Sequence, residues 1–223
     1  MRALVISTLL ISARSFIFEA ILNENGAVRM AEKIVIDSHG CYFTVKPLIL
    51  VTTLGSNGLP NVAPKTQATD VGRCERCFAF VCTPQHHTYQ NVKANKEFVV
   101  NYPSPELIGK VSAAAQRAED SDEIALAGLT SIPSLVVKPP RIKECYLHLE
   151  CKLLEIKDLE DSSLILGEVV ARSADKEFSF QRGKSRENIR LLAKHPLLAY
   201  VYPDHYAKIS LAEEFVFPKN YKP

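Results

Sequence analysis

Two short stretches of this chain collect residues suited to holding a small anionic or heteroaromatic ligand. The first, Pro60-Asn-Val-Ala-Pro-Lys-Thr-Gln-Ala-Thr69, leaves an apolar run and passes through proline into a polar stretch. Its backbone amides and the hydroxyls of Thr66 and Thr69 are donors for a heterocycle or a phosphate; a polar loop on a barrel rim would carry the same residues. The second, Cys82-Thr-Pro-Gln-His-His-Thr-Tyr-Gln-Asn-Val92, runs from a strand-like segment through a proline turn into a helix start. The first N–H groups of a helix lack intrahelical partners and sit at the positive end of its dipole, so such a start attracts anions. Thr88 adds a hydroxyl, and a protonated His86 or His87 adds charge. The plainer alternative is that Thr83 or Thr88 only caps the helix.

Other candidate groups are isolated. Cys74-Glu-Arg-Cys77 has the spacing of half a zinc or iron–sulfur site, or of a redox dithiol. Zinc needs two further ligands, only Cys82 and the His86/His87 pair lie nearby, and there is no second pair, so no metal site is expected. No nucleophile triad or paired-carboxylate motif is visible. His148 alternates with apolar neighbours and is expected on the wet or interface side of a strand. His195, before Pro196, suits a helix C-terminus. Lys138 and Arg141 flank a diproline loop, either as solvated charges or as attractors for a dinucleotide phosphate. There is no Gly-rich dinucleotide fingerprint.

The elements that must position these residues are mostly strands. Leu48 to Thr53 is an apolar, β-branched run, and Gly55-Ser-Asn-Gly58 leads into Leu59 to Ala63, the signature of a hairpin with an Asn-Gly turn. Cys77 to Cys82 and Phe98 to Tyr102 are further short apolar runs. Ser104-Pro105-Glu106 announces a helix whose stripe is Leu107, Ile108, Val111 and Ala115. Asp120 with Glu123 resembles a second cap, and Gly128 a helix stop. Tyr146 to Ile156 shows period-two alternation, with Ser163 to Ala171 as its partner across the Asp158–Asp161 turn. A late helix fits Arg186 to Lys194. This pattern predicts a mainly β fold with peripheral helices: an antiparallel barrel rather than a doubly wound parallel sheet.

The chain has 223 residues, enough for one domain with a real core plus terminal additions. Lys and Arg number 27 against 25 Asp and Glu, a net charge of +2 that gives no nucleic-acid footprint. Tryptophan is absent, which weakens any single-strand stacking reading. Cys41, Cys74, Cys77, Cys82, Cys145 and Cys151 have no repeating spacing in a core-rich chain, so they are expected to be reduced thiols of a cytoplasmic protein. Arg2 followed by Ala3 to Ser12 looks like a weak export signal, but Arg14 interrupts it and the run is too short to span a bilayer. Met30-Ala-Glu-Lys reads as a second, more natural start. Residues 1–30 are therefore expected to be an N-terminal extension, and 31–223 a single domain with no membrane association.

The order of these segments resembles the flavin reductase-like, FMN-binding split-barrel family. The resemblance rests on Pro47-Leu-Ile-Leu-Val-Thr-Thr53, Asn57-Gly-Leu-Pro-Asn-Val-Ala-Pro64, His87-Thr-Tyr-Gln-Asn91-Val and Glu97-Phe-Val-Val-Asn101. It continues in Ala127-Gly-Leu-Thr, Val137-Lys-Pro-Pro-Arg-Ile, Leu149-Glu-Cys and Gly167-Glu-Val-Val, across residues 44 to 175. It implies a six-stranded split barrel, a homodimer with flavin near the interface, and one FMN per subunit. By position, Asn61 and Ala63, Pro64, Lys65, Thr66 and Gln67 would line the isoalloxazine. Cys82, Thr83 and Thr88 would hold the phosphate side. Relatives carry an arginine where His86 stands, so phosphate charge falls to Lys65, to His86 or His87, or to backbone amides. Gln67 stands where relatives place an aromatic, leaving that face more open and polar. Tyr206 is a further contact on a segment that closes over the flavin in relatives. The activity implied is FMN-dependent oxidoreduction with NAD(P)H or a small electron-transfer protein as donor. The alternatives are a non-enzymatic flavin-binding carrier, or a cysteine-based metal or redox sensor; Cys74 and Cys77 could separately form a dithiol that passes electrons to or from the flavin, or be loop thiols without a function.

Overall fold

In the computed structural model the described residues are 16–22, 28–34, 42–72, 75–116, 118, 120–178 and 185–214. The chain falls into two compact units, residues 1–42 and 43–223. In the first, β1 (Phe16–Leu22) and β2 (Val28–Ile34) form an antiparallel hairpin with Phe16 opposite Ile34 and Leu22 opposite Val28.

The second unit holds the barrel. Its strands are β3 (Thr44–Pro47), β4 (Ile49–Leu54), β5 (Pro60–Lys65), β6 (Ala68–Val71), β7 (Cys77–Cys82) and β8 (Glu97–Tyr102). They are followed by the short β9 (Ser131–Ile132) and β10 (Arg141–Ile142), the long β11 (Leu147–Asp158) and β12 (Ser163–Ala174), then β13 (Leu197–Tyr202) and β14 (His205–Ile209). Four helices are interspersed among the described residues: α1 (His87–Asn95), α2 (Ile108–Ala113), α3 (Glu123–Leu126) and α4 (Ser185–Lys194).

The main sheet runs β5-β4-β8-β11-β12-β7-β6, every pair antiparallel. Its two edge strands, β5 and β6, are consecutive in sequence and separated only by Thr66 and Gln67. One bent ribbon, 60–71, therefore supplies both edges and curls the seven hydrogen-bonded segments into a six-stranded barrel. That is the split-barrel fold expected from the sequence. A three-stranded sheet, β14-β13-β3, accompanies it.

The hairpin between β4 and β5 forms as its Asn-Gly turn requires. Gly58 has φ +79, a backbone conformation that favours a residue without Cβ. Inside the barrel, Ile49, Val51, Phe78, Phe80, Phe98, Val100, Cys151 and Ile165 form one core, which Tyr89 and Val92 of α1 join. Phe80 and Phe98 meet edge to face with centroids 5.2 Å apart, a geometry worth about 0.5–1.5 kcal/mol beyond area burial. Gly167 is required by this core, because a Cβ there would stand 2.5 Å from the Phe98 ring. On the outer face of β4 and β5, Leu50 and Val62 pack with Val111, Ile124, Ile142 and Cys145 in a second core.

Three expectations need correction. Asp122, not Asp120, caps α3, accepting from Ala125 N at 3.0 Å. Ser104 makes no side-chain cap, and Pro105–Leu107 forms a tight turn before α2. His148 is not on a wet face: it is 5% exposed, with Nε2 2.8 Å from the Ile142 carbonyl and Nδ1 3.2 Å from Ser173 Oγ. The cause is the segment from Ser131 to Ile142, which folds over the outer face of β11. Glu150, also on that face, accepts from the backbone N–H groups of Leu135, Val136 and Val137 at 2.7, 2.7 and 3.2 Å. Asn101 pins the same segment, its Oδ1 accepting from Ile142 N at 2.9 Å.

Candidate functional site

The site expected from sequence lies where the bent ribbon meets the strand that feeds α1. Ala68 stands opposite Phe80, and just beyond the last residue pair Val81 N donates to the Gln67 carbonyl at 2.9 Å. That bond sets the Thr66–Gln67 bend beside the end of β7. Ala63, Pro64, Lys65 and Thr66 are half-buried there and Gln67 is exposed. Lys65 makes no ion pair among the described residues. Cys82 is buried, and the chain then turns through Thr83, whose carbonyl accepts from His86 N at 3.0 Å.

His86 occupies the N-cap position of α1 with extended backbone (φ −82, ψ 142) and no side-chain cap bond. Neither threonine caps the helix. Thr88 is 1% exposed and points its hydroxyl inward, donating to Asn61 Oδ1 at 3.2 Å. Thr53 Oγ1 donates to the same oxygen at 3.2 Å, while Asn91 Nδ2 donates to Thr53 Oγ1 at 3.0 Å. Asn91 thus braces the helix start. Asn61 and Thr88, expected at opposite ends of a ligand, are directly bonded.

Sequence reasoning missed the centre of this network. Glu123 is 6% exposed, and its Oε2 accepts from Asn61 Nδ2 at 2.5 Å and from Val62 N at 3.3 Å. Its Oε1 lies 3.4 Å from His87 Nδ1. Its partners lie 36 to 62 residues earlier in the chain, and the only local signal, an acidic run before a short helix, reads as a cap. Glu123, Asn61 and His87 share a cleft of about 280 Å³ with Asn57, Gln90 and Asp120.

The remaining expected residues stand on other elements. Tyr206 belongs to the three-stranded sheet, opposite Tyr200 and 50% exposed. Arg141 is not a solvated loop charge. Its Nη1 donates to Ser173 Oγ at 2.8 Å, its Nε and Nη2 donate to the Pro133 carbonyl, and Nε lies 3.7 Å from Glu150. Lys138 is exposed. Cys77 is a half-buried free thiol at the start of β7, and Cys74 lies outside the described residues. Among the described residues no cluster of three or more His, Cys, Asp or Glu side chains could hold a metal ion.

Each of the two stretches has the chemistry for one part of a ligand with an anion and a planar ring. A helix start without a side-chain cap, beginning at His86 and His87, can take an anion, and the half-buried bend with Lys65 has the amides and charge to take a ring. Several known proteins are similar to this chain. An uncharacterized protein of Methanothermobacter thermautotrophicus is 35% identical over 129 residues, covering 56% of this chain and 61% of that protein. The chain thus matches about three fifths of the length of that relative. The 2-nitrobenzoate 2-nitroreductase of Pseudomonas fluorescens superposes with a TM-score of 0.68 at 22% identity, over 80% of this chain and 87% of that one. A flavoredoxin of Methanosarcina acetivorans superposes with a TM-score of 0.69 at 20% identity, over 85% and 96%. The model of the flavin reductase like domain matches residues 42–206, a span that takes in the whole main sheet, both stretches singled out in the sequence and Glu123. The chain therefore belongs to the flavin reductase-like family, whose chemistry is flavin-related oxidoreduction.

Proposed function

We propose that this chain is an FMN-dependent oxidoreductase that takes electrons from NAD(P)H or a small electron-transfer protein, acting as a homodimer in the cytoplasm. The observation that carries this reading is the bond from Val81 N to the Gln67 carbonyl. It ties the ring-holding bend to the strand that runs into α1, so both ends of one ligand meet a single rigid frame. Bound flavin supplies the hydride and electron transfers; the protein supplies binding, orientation and electrostatics. Ala63 to Gln67 would hold and orient the ring, and the Lys65 ammonium would stabilise negative charge on it. The start of α1 holds the phosphate. No protein nucleophile or general base is needed.

The dimer reading is supported by Leu126, Leu135 and Val136, which are 65%, 64% and 53% exposed in the single chain. The cytoplasmic reading is supported by the free thiols of Cys77, Cys82, Cys145 and Cys151. A second reading, a flavin-carrying electron shuttle without turnover of its own, is favoured by the likeness to flavoredoxin.

The test is to purify the protein, record its flavin absorbance, and follow NADH and NADPH oxidation with added FMN or FAD. Turnover with FMN supports the enzyme. Bound flavin without turnover supports the shuttle, and a protein that binds no flavin overturns both.

A further inference from the structure

We propose that His148 is an acid-sensitive latch on the segment 131–142: as a neutral imidazole it holds that segment to the sheet at Ile142, and taking up a proton releases it. In register, His148 of β11 stands between Asn101 of β8 and Ser173 of β12. Ile142 is 0% exposed and is gripped by this row on both of its backbone groups. Its N–H donates to Asn101 Oδ1 at 2.9 Å, and its carbonyl lies 2.8 Å from His148 Nε2. Side chains thus supply the pairing that a strand would otherwise give.

The geometry fixes the tautomer. A carbonyl only accepts, so Nε2 carries a proton, and the neutral ring keeps its lone pair on Nδ1. Nδ1 lies 3.2 Å from Ser173 Oγ and accepts the hydroxyl proton. The same Oγ accepts from Arg141 Nη1 at 2.8 Å. Hydrogen bonds therefore run in one direction, from Arg141 through Ser173 and His148 to the carbonyl of Ile142. They end beside the residue where they began.

A second proton on the ring breaks this series in the middle. Nδ1–H and the Arg141 guanidinium would then both donate to one hydroxyl, whose own proton loses its acceptor. Two cations would also face each other across Ser173. Among the described residues, the other charge acting on the ring is Asp175, just beyond β12, which favours the imidazolium. Asn101, from β8, does not titrate, and Glu150, two residues along β11, is committed to the N–H groups of 135–137 and lies 3.7 Å from Arg141. Burial, with the charge of Arg141, outweighs Asp175 and the ring's hydrogen bonds and holds the pKa of His148 below 6.5. Lifting the β10 end of the segment lets water reach the ring, so proton uptake favours the open form. The grip is complete above about pH 6.5 and weakens as pH falls towards the lowered value. Glu150 holds the middle of the segment separately, so the latch acts on the β10 end.

The test is amide exchange followed by NMR from neutral pH downwards, corrected for the intrinsic pH dependence of exchange. The opening constant at Ile142 should be level above about pH 6.5 and rise by up to about tenfold per pH unit below it. Ile142 should also exchange faster than the amides of β4, because the segment opens without the barrel. His148→Gln keeps a donor and an acceptor but takes up no proton, and should abolish the rise. A wild type without the rise, a variant that retains it, or an Ile142 amide no faster than those of β4 throughout overturns the proposal. Should His148→Gln fail to fold, the wild-type imidazole decides. A rise at Ile142 that levels off at the ring's own titration midpoint supports the latch, and one that continues past it overturns the latch.

Discussion

Glu150→Gln should destabilise the fold by about 3 kcal/mol, although it changes a single atom. Glu150 is 1% exposed, and its two oxygens accept three backbone N–H groups. A glutamine has one accepting oxygen. If that oxygen serves Val136 and Val137, the new NH2 points at the N–H of Leu135, where donor meets donor. One bond is lost outright and two lose their charge assistance, at roughly 1 kcal/mol each. Leu135 and Val136 are exposed, so water can relieve part of the loss there, whereas Val137 is 6% exposed and has no such recourse. Glu150→Ala should therefore cost more, about 3–5 kcal/mol, because it orphans the buried Val137 N–H and leaves a cavity. Urea denaturation of the two variants against the wild type measures both, with amide exchange at 135–137 as a local check. A Glu150→Gln protein within 0.5 kcal/mol of the wild type, where uneventful surface substitutions fall, would refute the reasoning.

Three further outcomes are expected. Gly167→Ala forces a Cβ to 2.5 Å from the Phe98 ring and should cost about 1–3 kcal/mol in thermal or urea unfolding; adding Phe98→Leu should recover part of that loss. Burial, assisted by the charge of Arg141, pulls the pKa of His148 below its ordinary 6.5. The unfolded chain thus binds more protons than the fold just below that value, so this contribution to stability is complete above about pH 6.5 and is lost as pH falls towards the lowered value. His148→Gln should flatten the pH dependence of unfolding free energy in that window. Burial also pushes the thiols of Cys145 and Cys151 up, and both are 0% exposed, so a thiol-specific reagent should modify them only in denaturant.

The parts of this molecule legible in its sequence are those with local causes. The turn at Asn57-Gly58 needs a positive φ, and Gly58 has one. The pairing of β11 with β12 follows from alternation on both sides of one turn, although bulges at Glu150/Cys151 and Leu153/Glu155 interrupt its register. The helix start after Cys82 is announced by its proline turn. What was hidden depends on residues far apart in the chain. Period-two alternation separates the two faces of a strand but cannot say what covers the polar one, so it put His148 on the wet or interface side and gave no sign of the 131–142 segment folded over His148 and Glu150. Thr88 has the chemistry of a phosphate donor, and only the approach of Asn61 shows where its proton goes. Glu123 could not be found locally, because its function in the fold is to satisfy the edge of a strand sixty-one residues away.

The bend at Thr66 and Gln67 has a bearing on which lengths of chain this scaffold tolerates. Side chains along a strand point alternately inward and outward, so a slip of one residue turns every following side chain inside out. At most loops an inserted residue is absorbed as slack. Here the ribbon passes from one neighbour to another with two residues between, and both halves are already in register, with Ile49 opposite Lys65 and Ala68 opposite Phe80. A single insertion or deletion at this point has no slack to enter, and must either unseat β6 or reverse it. Natural variation in length should therefore collect in the connections elsewhere and spare this hinge of the hoop.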